Sequence, residues 1–73
     1  MQSPDHHADL VQFGQRLRAL RAAKGFSQEA LALSSGLDRS YVGGVERGQR
    51  NVSLVNILKL ATALKVEPRE LFS

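Results

Sequence analysis

The 73-residue chain predicts a small all-α fold, an orthogonal bundle of five helices in one domain. Three observations lead there. Apolar residues recur at helical spacing in two stretches, Leu10, Phe13, Leu17 and Leu20, then Leu54, Ile57, Leu58, Ala61 and Leu64. Between them, Ser27 to Arg47 divides at Gly36 into two short pieces, each with an inward apolar side. No stretch alternates with the period of two that a half-buried strand requires, and the links are short enough to force successive helices into contact.

Taken in order, Met1 to His7 hold Pro4 and short polar residues without an apolar period and read as a mobile arm, leaving residues 8–73 as the folded domain. The first helix carries the Leu10 to Leu20 stripe, with Gln12, Arg16, Arg18 and Lys24 outside it, and ends at Gly25; Phe26 packs the link. Ser27 caps the second helix, whose Leu31 and Ala32 face inward. Gly36 tolerates the positive φ of a tight corner, Leu37 plugs it, and Asp38 caps a third helix with Val42 and Val45 inside. This is a helix-turn-helix. Gly48 supplies the left-handed residue after it, and Ser53 caps the fourth helix, which runs to about Lys65 with Leu60 widening its apolar face. Glu67 and Pro68 open a last short helix that ends in Leu71 and Phe72.

Composition narrows the function classes. With no cysteine, neither a disulfide nor a thiolate metal site can support a domain this small, which buries only about 60% of the surface its unfolded chain exposes. Nothing approaches a membrane span and the N-terminus lacks the pattern of a signal peptide, so the expected location is cytoplasmic, with no membrane partner. The net charge is +3, but nine of the ten Lys and Arg lie between Arg16 and Lys65 while Asp5, Asp9, Glu67 and Glu70 sit at the ends. A basic middle suits a polyanion, although charge alone is equally compatible with solubility. No nucleophile and base pair and no phosphate-binding glycine loop is present, so no enzyme is expected. His6 and His7 invite a metal reading, but they are adjacent and without a ligand cluster, and neither metal nor cofactor is expected.

Residues just outside the inner face of the third helix form the candidate reading head. Arg39, Ser40 and Tyr41 stand at its start, from where recognition helices reach base edges in the major groove. An arginine there can donate two parallel hydrogen bonds to guanine. Gln28 stands at the start of the second helix, where an amide and free backbone N–H groups can meet a phosphate. Arg47 and Asn51 lie at the exit of the third helix and read as backbone contacts. Gly43 and Gly44 each disfavour helix by about 1 kcal/mol relative to alanine. They serve either close approach to a sugar-phosphate backbone, for which Gly43 is the candidate, or packing of the third helix on the second.

The spacing of Gln28, Ala32, Gly36, Leu37, Val42 and Val45, followed by Glu46, Arg47 and Gly48, resembles the Cro/repressor-like (XRE-type) helix-turn-helix family from about Phe13 to Phe72. The longer string LDRSYVGGVERGQRNVSL is similar to restriction–modification controller proteins within it. The resemblance implies a lambda-repressor-like fold and a homodimeric, sequence-specific regulator on a double-stranded DNA operator with inverted repeats, acting on its own operon. It also implies a DNA contact for Arg50, a structural salt bridge between Arg21 and Glu46, and RNA polymerase as a further partner; Glu29 is a candidate contact for the last, although its charge near the N-terminus of the second helix is better read as structural. A phage-type repressor, an antitoxin and a protein-interaction module that has lost DNA binding remain open alternatives. Val52, Val55, Leu71 and Phe72 are the candidate dimer interface, because apolar residues off the inner stripe would be exposed in a monomer. Leu71 and Phe72 can instead fold back over the core.

Overall fold

A computed structural model describes residues 5–73, and the arm residues 1–4 lie outside the described part. Four α-helices and one 3₁₀ turn follow in order: α1 (His7–Ala23), α2 (Gln28–Ser35), α3 (Arg39–Glu46), α4 (Leu54–Leu64) and the turn Pro68–Phe72. The expected fifth helix is thus a single 3₁₀ turn, closed by the Glu70 N–H donating to the Glu67 carbonyl three residues back, at 2.9 Å. Five residues that begin with a proline are too few for an α-helix to add bonds beyond its nucleus. The arm boundary also moves: His7 already belongs to α1, and its N–H donates to Asp5 Oδ1 at 3.0 Å.

Local chemistry sets the ends of the helices. Ser27 Oγ accepts from the Ala30 N–H at 3.0 Å and Ser53 Oγ from the Asn56 N–H at 3.1 Å, each satisfying a donor that the first helical turn leaves free. Asp38 holds the cap position of α3 with extended backbone, but its carboxylate accepts from Ser40 Oγ at 2.7 Å rather than from a helix N–H, so the expected side-chain cap is absent. Gly36 closes α2 at φ 73°, and the Leu37 N–H reaches back to the Ala32 carbonyl at 3.0 Å, which turns the corner into α3.

The core consists of Leu17 from α1, Leu31 and Ala32 from α2, Val42 and Val45 from α3, Leu60, Ala61 and Leu64 from α4, and Leu71 from the terminal turn. Helix α3 packs against α1 and α2, while α4 backs α2 and the 3₁₀ turn. The inner face of α4 is rotated from the expected one. Leu60 is fully buried, whereas Leu54 and Leu58, expected inside, are 70% and 43% exposed. Leu71 is fully buried, so the fold-back alternative holds for it and it offers nothing to a second chain. Arg16 Nε pins the same turn to α1 by donating to the Glu70 carbonyl at 2.7 Å.

The crossing of α1 and α3 is closed at Gly14, which the sequence does not single out. A Cβ on Gly14 would overlap the Val45 carbonyl and fall 2.5 Å from the Glu46 carbonyl oxygen, both backbone atoms that cannot swing aside. Gly14→Ala is therefore expected to destabilise the domain by about 1 to 3 kcal/mol through overpacking. Gly25→Ala meets no atom within 4 Å and should cost only the left-handed conformation, about 1 to 2 kcal/mol. Urea unfolding of both variants ranks them, and a Gly14→Ala protein as stable as wild type would mean that the helices cross farther apart.

Candidate nucleic-acid interface

Helix α3 presents two unlike sides. Its inner side buries Val42 and Val45. Its outer side begins with Arg39 and Ser40, both exposed, and continues past the helix end to exposed Arg47, Gln49, Arg50 and Asn51. Arg39 Nε lies 3.7 Å from Glu29 Oε1 of α2, an exposed pair that contributes little to stability but keeps the guanidinium in front of the α2–α3 corner. The carboxylate considered for a polymerase contact is thus a neighbour of the reading head. Arg47 Nε donates to Gln49 Oε1 at 3.0 Å, which holds its stem along the end of α3.

The two internal glycines make room for side chains. Gly43 is buried, and a Cβ there would lie 3.1 Å from Arg47 Nη1 and 3.5 Å from Gln28 Oε1. Its missing side chain thus accommodates the ends of two polar side chains, one of them from α2, in line with the alternative that this glycine serves packing of the third helix on the second. At Gly44 a Cβ would fall 2.8 Å from Arg50 Cγ, so the Arg50 stem lies over this glycine before its charged end emerges.

Beneath this surface sits a buried carboxylate. The Glu46 side chain is 2% exposed and accepts from Arg21 Nε at 2.5 Å, Arg21 Nη2 at 3.1 Å and Gln28 Nε2 at 2.9 Å. Arg21 Nη1 donates in addition to the Phe26 carbonyl at 2.8 Å. One cluster thereby ties α1, the α1–α2 link, α2 and the end of α3. The Arg21 pKa is raised, mainly by its hydrogen bond to Glu46, with the attraction of the two charges adding and burial opposing. A raised arginine pKa stabilises the folded chain at every pH below the ordinary arginine value, so the cation side of this pair does not titrate at physiological pH. Gln28 was expected to face a phosphate. One of its amide hydrogens is committed to Glu46 and the other remains to be shared.

Tyr41 is half-buried, and its hydroxyl donates to the Asn51 carbonyl at 3.3 Å while accepting from Asn56 Nδ2 at 3.1 Å. Asn56 had no part in the sequence reading, and the exposed Leu54 and Leu58 were expected in the core rather than on the surface. Of the expected interface residues, Val55 is 59% exposed, Val52 is half-buried against the core, and Phe72 is 63% exposed while its ring packs on Phe13 at a centroid distance of 5.3 Å. Among the described residues no helix is long and apolar enough to cross a membrane. No group of three or more metal-ligating side chains comes together there either, and His6 Nδ1 instead lies 2.8 Å from Asp9 Oδ2.

A capped helix, a glycine corner and a second helix with a basic outer face are the parts of a helix-turn-helix, and residues 17–71 match the family model described as helix-turn-helix. The chain belongs to this family. Its relatives include restriction–modification controllers: the control protein C.BamHI of Bacillus amyloliquefaciens is 50% identical over 60 residues, which span 81% of this chain and 74% of that protein. The crystal structure of the controller C.AhdI from Aeromonas hydrophila superimposes with a TM-score of 0.88 at 86% identity, covering 89% of this chain and 98% of that one. The controller C.Esp1396I, solved as a tetramer in complex with its natural 35-base-pair operator, gives a TM-score of 0.79 at 33% identity, covering 86% of this chain and 83% of that one.

Replacing Glu46 by Ala is expected to destabilise the domain by about 3 kcal/mol, because Arg21 would be left part-buried without its carboxylate. Thermal unfolding of Glu46→Ala beside Arg21→Ala and the double variant measures this. A double variant as unstable as the sum of the singles would mean that the two side chains are independent.

Proposed function

We propose that the chain is the controller of a restriction–modification system, binding inverted-repeat operator DNA upstream of its own operon as a homodimer. The observation that carries this reading is the outer face of α3. Arg39 and Ser40 at its start and Arg47, Arg50 and Asn51 just beyond its end are all exposed, three of the five cationic, on a frame shared with controllers. Arg39 and Ser40 reach base edges, with Tyr41 beside them, while Gln28, Arg47, Arg50 and Asn51 meet phosphates. A protein-interaction module without DNA binding would carry an acidic or bulky apolar face here instead.

The second copy is placed on α4. Leu54, Val55 and Leu58 are exposed together on its first half, and Val55 and Leu58 line a shallow groove with Ser34, Ser35, Thr62 and Ala63. A monomer gains nothing from an apolar face of this kind, and a core of this size gains much by covering it. A two-fold pair would set its recognition helices about 34 Å apart, one turn of DNA. Regulation then follows from which sites the dimer occupies, with RNA polymerase as the further partner that an activating role requires.

Two measurements test the reading. Arg39→Ala should weaken operator binding by about 1 to 3 kcal/mol and relax preference at one base pair in each half-site. Arg47→Ala should weaken all sequences alike and reduce the slope of log affinity against log salt by about one. An Arg39→Ala protein that ranks operator variants as wild type does would remove Arg39 from base readout. Sedimentation equilibrium addresses the dimer: wild type should associate in the micromolar range and Val55→Glu should not. A wild-type chain that stays monomeric at high micromolar concentration, and binds a half-site as tightly as the full repeat, would overturn the dimer.

A further inference from the structure

We propose that Asn56 is a positioning residue for operator binding, acting through Tyr41: its side-chain amide locks the Tyr41 hydroxyl against the Asn51 carbonyl, so that the start of α3 and the α3–α4 loop meet DNA as one body. The proposal rests on the reading that this surface binds DNA. Three segments converge on the hydroxyl. Tyr41 is the third residue of α3, Asn51 lies in the loop that carries Arg50, and Asn56 is the third residue of α4. Backbone bonds tie the loop to α3 as far as Gln49, whose N–H donates to the Gly44 carbonyl at 2.8 Å, and beyond it the Asn51 carbonyl supplies a further anchor.

The polarity of the chain of bonds is determined. A carbonyl oxygen only accepts, so the Tyr41 proton goes to Asn51, and the Asn56 amide must then be the donor to the Tyr41 oxygen. Asn56 is free for this duty because helix capping does not use its side chain. Its backbone N–H is taken by Ser53 Oγ at 3.1 Å, and its side chain, at the position from which capping-box residues reach back to the cap, goes to Tyr41 instead. The hydroxyl proton and one lone pair are thereby used inside the protein. What the hydroxyl keeps for DNA is acceptor capacity, which suits an amino group of adenine or cytosine in the major groove and not a phosphate oxygen.

The test is a double-mutant cycle on DNA affinity. The probe is a duplex selected from a random-sequence library by the wild-type chain, and Tyr41→Phe, Asn56→Ala and the double variant are compared on it. Each single change is expected to weaken binding about 3- to 10-fold, and the double variant no more than the weaker single, since all three lose the same bond. Binding to a scrambled duplex should hardly change. A merely structural role is separated by a spectroscopic readout on the free chain: Tyr41→Phe, which keeps the ring, should shift the Asn56 side-chain amide resonances. Should Asn56→Ala fail to fold, Asn56→Leu replaces it in the cycle. Multiplicative losses, an Asn56 variant that binds as wild type does, or unmoved amide resonances would each overturn the role of Asn56 while leaving DNA binding intact. Failure of the wild-type chain to enrich any sequence would overturn the DNA-binding reading, and the role of Asn56 with it.

Discussion

Three helices of this domain meet at one buried carboxylate. Glu46 ends α3, yet its oxygens are claimed by Arg21 from α1 and Gln28 from α2, and Arg21 reaches on to the carbonyl of Phe26 in the link between them. Apolar packing of Leu17, Leu31, Val42 and Val45 brings these helices together without fixing their rotation, because such contacts are non-directional. Charge-assisted hydrogen bonds are directional and fix it. The glycine crossing works with them: only because Gly14 carries no side chain can the backbone at Val45 and Glu46 come close enough to α1 for the carboxylate to lie within reach of Arg21. The angle at which α3 faces outward is thus set from below, by Glu46 and Arg21, with Gln28 joining this cluster to the outer surface.

The outer surface is built on the opposite logic. Its cations are held by light contacts, Arg39 beside Glu29 and Arg47 on Gln49, and Gly43 and Gly44 give passage to the side chains that cross them. Such contacts keep long side chains near their working positions while leaving them free to change partners when a stronger anion arrives. Tyr41 differs from its neighbours, being half-buried and bonded at both ends of its hydroxyl, and belongs as much to the frame as to the surface.

Much of this was legible in the sequence because it depends on local chemistry. The serine caps at Ser27 and Ser53, the corner at Gly36 and the inner pair Val42 and Val45 follow from neighbours in the chain, and the structure places them so. Helix α4 was harder. It is apolar on more than one face, with Leu54, Val55, Ile57, Leu58, Leu60, Ala61 and Leu64 in one short helix, so periodicity could not decide whether Leu58 or Leu60 points inward. The surplus itself was the signal that part of the helix faces something other than its own core. Gly14 and Asn56 were out of reach, since a glycine in a helical pattern and an asparagine in a first turn acquire meaning only from what folding sets opposite them. The terminal turn shows a related limit: Leu71 and Phe72 are adjacent in sequence, but one is fully buried and the other mostly exposed.

The separation between a fixed frame and a lightly held surface also bears on how such proteins diverge. Arg39 and Ser40 are exposed and contribute no side chain to the core. Substitution there changes what the surface can recognise at little thermodynamic penalty, whereas substitution at Glu46, Arg21 or Gly14 disturbs the frame that presents it. If Arg39 and Ser40 read bases as proposed, a gene duplicate could acquire a new DNA address in a few steps at the start of α3, each step passing through a folded protein. On the proposed reading of this surface, several such switches of one design could coexist without cross-talk, provided that their addresses differ where the start of α3 would meet DNA.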